Sequence, residues 1–355
     1  MSRYIIIGAG AVGASLAAQF ALSDIDYVLV GRGAQIRHIK QHGLTFRRPD
    51  GVRQIELSAF DLEEPPELRK DDILLLTVKS QDAAASALAF WSWRDVAGSR
   101  LPASLSLPIV TFQNGLATEA AALRTFANVY GASILTPALF TRTGTVAVAG
   151  DPQLGIATVG RFPVGHDALS DQIAEDLTKA GYLAEATSDI RRWKAAKLLH
   201  NVRNALELFD GKPDLREDIG TALVNEATQA LQAGGYSLAS PSERRIDISN
   251  WRVAPGSGVS PGQQSTWQSF TRGASSEVDF LNGEIVLLGR LHGVATPYNE
   301  AVQRLAGQLA EKAQFTEPLA LEAIIALLNQ DSDTLPVGLR TQQEPAVSRN
   351  FNPAA

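Results

Sequence analysis

The sequence predicts an α/β protein in which an N-terminal, doubly wound parallel sheet precedes an all-helical C-terminal domain. Three observations lead to this fold class. Short, almost entirely apolar runs alternate with helical segments over the first half of the chain, as in parallel sheets covered on both faces. A glycine-rich turn follows the first apolar run, and strand signals nearly vanish from Asp189 onward. The 355 residues also suit two domains of ordinary size.

The first strand and helix carry a nucleotide-binding signature. Residues 4–7 form a strand-like apolar run that stops at a G-x-G-x-x-G sequence, behind which a helical stretch begins. Gly8 is expected to make the tight turn, Gly10 to admit a pyrophosphate, and Gly13 to let helix and strand pack closely. The pyrophosphate would bind free N–H groups at the helix N-terminus. We therefore predict a Rossmann-type cofactor site at Gly8, Ala9, Gly10, Ala11, Val12 and Gly13.

Further elements of the sheet domain follow in chain order. Strands are predicted at residues 26–30, 72–78, 108–112 and 183–187, and helices at 35–42, 116–127 and 166–181. The stretch 129–160 is rich in Thr, Val and Gly, which suggests antiparallel strands at the edge of the sheet.

Helical periodicity dominates the second half of the chain, over residues 190–208, 216–236, 265–291 and 297–328. We therefore predict an NADP-binding domain at 1–187 and a helical substrate and catalytic domain at 188–330. Residues 331–355 place several prolines among polar residues, which indicates a mobile tail.

Composition excludes several classes of function. The net charge of −6 gives no reason to expect nucleic acid or an anionic membrane as partner. The sequence has no cysteine, and its five histidines form no H-x-x-x-H pair, so no metal site is predicted. The uncharged run 5–22 is long enough to span a membrane, but the nucleotide signature explains it better. A cytoplasmic protein is expected.

The end of the second strand bears on the choice of dinucleotide. NAD-binding sites of this type carry an acidic residue there, which binds the ribose 2′-OH. Here the strand ends in Val30-Gly31-Arg32-Gly33, and Arg32 is placed to pair with a 2′-phosphate. The sequence therefore predicts NADP(H) as cofactor, although an ordinary loop arginine is the alternative.

A polar stripe runs along an otherwise apolar helix in the second half. Lys194, Lys197, Asn201 and Asn204 are spaced three, four and three residues apart, so they are expected to share one helix face. A solvated face is one explanation. Asparagine is a mediocre helix former, however, so two asparagines beside lysines fit better as hydrogen-bonding groups that line a cleft.

These motifs together resemble those of the ketopantoate reductase (2-dehydropantoate 2-reductase) family. The matching elements appear in family order over roughly residues 4–310. They are "GAGAVG" (8–13), "TVKSQD" (77–82), "QNG" (113–115), "WKAAKLLHN" (193–201), "STWQSFTRGASSEVDFLNG" (265–283) and "GRLHGVATPYNE" (289–300).

The resemblance implies an NADPH-dependent reduction of a 2-oxo acid to a 2-hydroxy acid, with ketopantoate as the first candidate. It assigns Lys197 as the catalytic lysine and Glu277 as a catalytic and cofactor-contacting glutamate. It further implies that Lys79 and Asn114 contact the nicotinamide end of the cofactor. The substrate-binding residues that it implies are Asn114, Asn201, Asn204 and Ser265.

The chemistry agrees with these residue types. An ammonium group stabilises the oxyanion that develops on a ketone and then donates its proton. A free lysine has a pKa of about 10.4, which is high for this task. We expect partial burial and the neighbouring Lys194 to lower the pKa of Lys197.

Some residues depart from the family pattern, and alternatives stay open. Asn204 is shifted by one position from the expected second asparagine, the proline expected beyond it is missing, and Ser269 replaces an acidic residue. These changes lie where substrate is selected, so a paralogous reductase for another 2-oxo acid is one alternative. A non-catalytic NADP(H)-binding sensor is another. The resemblance also allows a homodimer.

A serine-hydrolase motif competes with this interpretation. Residues 258–262 read G-x-S-x-G, with Ser260 as the nucleophile, and Asp279 and His292 follow in hydrolase order. The oxyanion hole of such a site needs the backbone N–H of the residue after serine, and Pro261 has none. A loop is therefore the better interpretation.

Overall fold

The computed structural model describes residues 2–255, 267, 270, 277–311 and 317–334. Within them the strands are Arg3–Ile7 (β1), Tyr27–Gly31 (β2), Leu44–Arg48 (β3), Gly51–Ile55 (β4), Ala59–Asp61 (β5), Leu68–Arg69 (β6), Asp72–Leu76 (β7), Val96–Ala97 (β8), Pro108–Thr111 (β9), Asn128–Leu135 (β10), Ala138–Arg142 (β11), Thr145–Val148 (β12), Gly150–Asp151 (β13), Ile156–Arg161 (β14), Leu183–Ala186 (β15), Phe209–Asp210 (β16), Arg252–Val253 (β17) and Leu319–Ala320 (β18).

The α-helices of the described residues are Ala11–Leu22 (α1), Gly33–His42 (α2), Ser80–Asp82 (α3), Ala89–Ser92 (α4), Ala103–Ser106 (α5), Ala117–Ala122 (α6), Ala168–Lys179 (α7), Ile190–Asn201 (α8), Pro213–Ala233 (α9), Asn282–His292 (α10), Pro297–Ala310 (α11) and Glu322–Thr334 (α12). A π-helical turn lies at Ala83–Leu88, and 3-10 turns lie at Asn204–Leu208, Pro241–Glu243 and Val278–Phe280.

An eight-stranded sheet organises the N-terminal half, in the order β15-β14-β10-β9-β7-β1-β2-β5. All neighbouring strands are parallel except β10 and β14. Every residue of β1, β2 and β7 is buried because helices and loops cover both faces of the sheet. The predicted α/β class and the parallel sheet are therefore confirmed.

The stretch 129–160 folds differently from the prediction in two respects. β14 is antiparallel to β10 as expected, but β15 pairs with its other side, so β14 is not an edge strand. The segment "GTVAVAG" supplies β12, which joins a separate four-stranded sheet in the order β11-β12-β3-β4. The hairpin of β3 and β4 that receives β12 was not predicted, because its polar residues conceal the strand alternation.

The C-terminal half packs helices α8 to α12 around a second apolar core, which includes Leu198, Leu223, Ile285, Val302 and Ile324. The prediction of a helical second half is confirmed, with some changes of detail. The pattern 297–328 divides into α11 and α12, with β18 between them, and the pattern 190–208 ends as a 3-10 turn. No helix in the part of the chain that the structure describes is long and apolar enough to cross a membrane.

The three glycines of the first turn meet different surroundings. Gly8 has a φ of +120°, which favours glycine. A Cβ at Gly13 would lie 1.9 Å from the Gly8 carbonyl oxygen and 2.4 Å from Thr77 Oγ1, so α1 could not approach β1 as it does. A Cβ at Gly10 would meet nothing within 4 Å. As expected, Gly8 makes the tight turn, Gly10 leaves open space, and Gly13 allows the close contact between helix and strand.

This difference predicts unequal effects of alanine. Gly13→Ala should lower the free energy of unfolding by about 1–3 kcal/mol, because the new methyl group overlaps backbone atoms. Gly10→Ala should change it by less than about 0.5 kcal/mol, because the position is open. Urea denaturation of both variants checks this, and equal stabilities would contradict the packing described for Gly13.

Candidate active site

The N-terminus of α1 forms an anion cradle at the end of β1. The helix begins after Gly10 without a side-chain cap, and its first N–H groups have no preceding helical carbonyl to bond. The helix dipole favours an anion here. This geometry fits the diphosphate of a dinucleotide, whose backbone approach the open position at Gly10 permits. The cofactor-binding roles of residues 8–13 stay predictions.

Arg32 lies directly after β2, where the predicted 2′-phosphate site requires it. Its side chain is 68% exposed and donates from Nη2 to Asp82 Oδ1 over 3.2 Å. An exposed pair of this kind contributes little to stability, so the guanidinium is available to an anion.

Lys79 and Glu277 join the two halves of the chain. Lys79 follows β7, its ammonium pairs with Glu277 Oε2, and Ser80 donates to Glu277 Oε1 from its backbone N over 3.1 Å and from Oγ over 3.0 Å. Burial acts to raise the pKa of Glu277, but Lys79 and the Ser80 donors outweigh it and lower that pKa. Glu277 is therefore a fixed carboxylate beside Lys79, and its catalytic and cofactor-contacting roles stay predictions.

The loop 113–115 after β9 is held from three sides. Gln113 Nε2 donates to the carbonyls of Leu76, over 2.9 Å, and Val78, over 2.8 Å, while Lys194 Nζ donates to the Gln113 carbonyl over 2.8 Å. Gly115 has a φ of +83°, and a Cβ there would lie 2.4 Å from the Phe280 carbonyl oxygen. These contacts fix Asn114, which lines a small pocket together with Lys197.

Lys194 forms a buried ion pair. It comes from α8, pairs with Glu119 of α6, and the two side chains are only 3% and 1% exposed. Thr111 Oγ1 donates to the same carboxylate. Lys194 thus lines the pocket floor as part of a neutralised pair, and its expected role as a cation acting on Lys197 is wrong.

Lys197 lies one turn beyond Trp193 and is partly buried. It shares its pocket with Asn114, Ala132 and Ser133, and no described residue accepts a hydrogen bond from its ammonium. Burial, together with the smaller effect of the Arg244 charge, lowers the pKa of Lys197 to about 8. The expected shift by burial is confirmed, while Arg244 takes the place predicted for Lys194.

The two asparagines beyond Lys197 lie in different elements. Asn201 ends α8 and is buried, and its Oδ1 has no hydrogen-bond partner among the described residues. Asn204 is also buried but begins the following 3-10 turn, so the predicted single helical stripe ends at Asn201.

Two serines singled out in the sequence, Ser260 and Ser265, lie outside the described residues. Four site residues were missed: Ser80, Gln113, Glu119 and Arg244. Ser80 and Gln113 stand within "TVKSQD" and "QNG", so their motifs carried a signal. Glu119 and Arg244 are distant in sequence from their partners, and only the folded chain brings them to the site.

Lys194→Met tests the buried pair. It should lower the free energy of unfolding by about 3–5 kcal/mol, because Glu119 would keep a buried and uncompensated charge. The charge of Glu119 also acts on Glu284, since this charge and burial together raise the pKa of Glu284 to about 7. In Lys194→Met, the repulsion between these two carboxyl groups would add to the loss of stability.

The matched control is the double variant Lys194→Met/Glu119→Gln, which removes both charges and should recover much of the loss. Thermal and urea unfolding of the four proteins of this cycle measure the coupling. A single variant as stable as the wild type would show that the pair contributes nothing.

Comparisons with known proteins show the family of this chain. The family model described as ketopantoate reductase PanE/ApbA matches residues 4–162, and the model for the C-terminal part of the same family matches residues 189–310. A 2-dehydropantoate 2-reductase of Pyrococcus horikoshii is 26% identical over 306 residues, which cover 84% of this chain and 94% of that protein.

Solved structures share the fold over most of their length. A PanE/ApbA family ketopantoate reductase from Ralstonia eutropha is 25% identical, with a TM-score of 0.69 and coverage of 88% of this chain and 99% of that one. A D-mandelate dehydrogenase solved with NADH and anilino(oxo)acetate is 20% identical, with a TM-score of 0.71 and the same two coverages. From the two matched segments and the site that joins them, we conclude that this chain belongs to the ketopantoate reductase PanE/ApbA family.

Proposed function

We propose that this protein is an NADPH-dependent reductase that converts a 2-oxo acid, most directly 2-dehydropantoate, to its 2-hydroxy acid. The observation that carries the proposal is Lys197, a cation of lowered pKa in a pocket beside Asn114. The relatives named 2-dehydropantoate 2-reductase support the choice of substrate. A cytoplasmic location, a homodimer and the division into residues 1–187, 188–330 and 331–355 belong to the same proposal.

The residues of the cradle fit the cofactor that this reaction requires. Gly10 leaves open space in front of the free N–H groups of α1, where a diphosphate would bind. A bound nicotinamide dinucleotide would supply the hydride. Lys79 and Asn114 lie after β7 and β9, at the same edge of the sheet as the cradle, which suits contacts to the nicotinamide end.

Lys197 would act on the keto group of the substrate. Its ammonium stabilises negative charge on the carbonyl oxygen and then transfers its proton to that oxygen from Nζ. A pKa of about 8 suits this transfer, because the group is mostly protonated at neutral pH and yet gives up its proton more readily than an exposed lysine. The buried Lys194–Glu119 pair holds the same helix against the loop of Asn114.

The neutral groups around Lys197 would orient the substrate. Asn201 has a buried carbonyl oxygen without a described partner, which can accept a bond from a substrate hydroxyl. Asn204 and Ser265 are proposed as further substrate-binding residues on the basis of the family resemblance. Glu277 is proposed to act mainly by fixing Lys79 toward the cofactor.

The position of Arg32 predicts that the protein binds NADPH more tightly than NADH. Arg32→Ala should raise the Kd of NADPH about 10- to 100-fold, because charge-assisted bonds to the 2′-phosphate are lost. The Kd of NADH should stay the same. Titration calorimetry with both cofactors measures this. The control is Arg37→Ala, which removes an exposed arginine on α2, the helix that follows Arg32. Equal affinities for both cofactors, unchanged in the variant, would refute the assignment.

Lys197 carries the test of the function itself. NADPH oxidation should proceed with 2-dehydropantoate or another member of a panel of 2-oxo acids, and Lys197→Ala should lower kcat by about 100- to 10,000-fold. In the wild type, kcat/KM for reduction should be constant below pH 8 and fall tenfold per pH unit above it. The ammonium form, which is the proton donor, disappears as the pH rises through a pKa of about 8.

The matched control is Lys179→Ala, which removes an exposed lysine at the end of α7 and should leave turnover unchanged. Activity restricted to another oxo acid would keep the mechanism and favour the paralogous reductase. NADPH binding without turnover on any 2-oxo acid would favour the non-catalytic sensor.

A further inference from the structure

Three polar side chains form a row across the sheet beneath α8. Ser133 of β10 pairs with Thr158 of β14, and Thr158 pairs in turn with Glu185 of β15. Directly paired residues of neighbouring strands point to the same face, so the three side chains lie side by side. Ser133 Oγ lies 3.5 Å from the Trp193 carbonyl oxygen, which places the row under α8. One end of it, Ser133, lines the pocket of Lys197.

Arg244 lies over this row. It follows the 3-10 turn Pro241–Glu243, and its Nη1 donates to Thr158 Oγ1 over 3.2 Å and to Glu185 Oε1 over 3.3 Å. Its Cζ lies 4.5 Å from the centre of the Trp193 ring. Trp193 precedes Lys197 by one turn of α8, so the guanidinium stacked on Trp193 lies on the same side of α8 as Lys197.

The guanidinium keeps unused donors. Both hydrogen bonds, to Thr158 and to Glu185, are donated by Nη1. No described residue accepts a hydrogen bond from Nη2 or Nε of Arg244. The side chain is only 19% exposed, and burial lowers the pKa of Arg244. The Glu185 carboxylate is shared, since its Oε2 also accepts from the Arg245 backbone N over 2.9 Å. Lys197 lines the pocket, and Arg244 lies close enough to Lys197 for its charge to lower the pKa of that lysine.

Such a surplus of buried positive charge suits an anionic ligand. A 2-oxo acid carries its carboxylate on the carbon next to the keto group, so two neighbouring cations can bind its two ends. Arginine offers a planar set of donors that matches a carboxylate with two parallel bonds. Lysine is the better proton donor of the two, because a guanidinium does not deprotonate in proteins.

We propose that Arg244 is a specificity-determining residue that binds the carboxylate of the 2-oxo acid while Lys197 acts on the keto oxygen. This inference rests on the proposed function and extends it. It assigns a role to a residue of the segment 234–255, in which the sequence showed no family motif. It also gives a reason why the substrate should be an acid and not a neutral ketone.

The test compares a substrate acid with its uncharged methyl ester. Arg244→Met keeps much of the side-chain volume but removes the charge. It should raise KM for the 2-oxo acid about 100-fold, because a buried charged contact to the carboxylate is lost. The kinetic constants for the ester should change by less than about threefold, and the Kd of NADPH should not change. Arg244→Lys, which keeps the charge, should retain part of the preference for the acid.

Arg245→Met is the matched control. Arg245 also contacts Glu185, but its side chain is 70% exposed, so this variant should behave as the wild type. A loss in Arg244→Met that is equal for acid and ester would indicate a structural role and overturn the inference, as would an unchanged KM. If Arg244→Met does not fold, a loss of activity in Arg244→Lys that is equal for the acid and the ester overturns the inference in the same way.

A binding measurement separates this inference from the proposed function. Calorimetric titration of the 2-hydroxy acid product into the protein with NADP⁺ needs no turnover. Weaker binding in Arg244→Met but not in Arg245→Met supports the role of Arg244, even if the rate of reduction is low. If the wild type neither reduces a 2-oxo acid nor binds its product, both the proposed function and the inference are overturned. If the wild type is active and Arg244→Met binds the product as tightly as the wild type does, only the inference is overturned.

Discussion

The buried pair between Lys194 and Glu119 is the contact on which the geometry of the site depends. One partner comes from the first helix of the C-terminal half and the other from a short helix of the sheet domain. The same ammonium also donates to the Gln113 carbonyl, so one group fixes α8, α6 and the loop of Asn114 together. Two charges removed from water gain little net stability. Their effect is to specify one arrangement, because any other leaves a charge buried without a partner.

This pairing distinguishes the two lysines of α8. Lys194 and Lys197 are one turn apart on α8, yet only Lys194 has a carboxylate partner. The lowered pKa of Lys197 follows from burial without such a partner, with Arg244 as a second cation nearby. A neutralised lysine and an uncompensated one thus lie side by side, and the uncompensated one is suited to proton transfer.

The elements that meet at the site also divide its tasks. The sheet domain supplies the cradle of α1, Arg32 after β2, Lys79 after β7 and Asn114 after β9, all beyond the carboxyl ends of parallel strands. This is the edge at which ligands bind in open α/β sheets. The C-terminal half supplies Lys197, Glu277 and, in our proposal, Arg244. The Lys79–Glu277 pair is a further charged contact between the halves, and in our proposal it fixes Lys79 toward the cofactor.

The sequence by itself determined the sheet, the glycine turn, the helical second half and the motifs that carry Lys79, Asn114 and Lys197, because each depends on local period or on neighbouring residues. It did not find the partners of these residues. Glu119 and Lys194 are 75 positions apart, Lys79 and Glu277 are 198 apart, and Arg244 reaches Thr158 across 86 positions. A charge pattern within one helix cannot show which of its charges is neutralised by a residue of another element. The tertiary structure alone therefore decided that Lys194 is paired and Lys197 is not, and that Arg244 lies near Lys197.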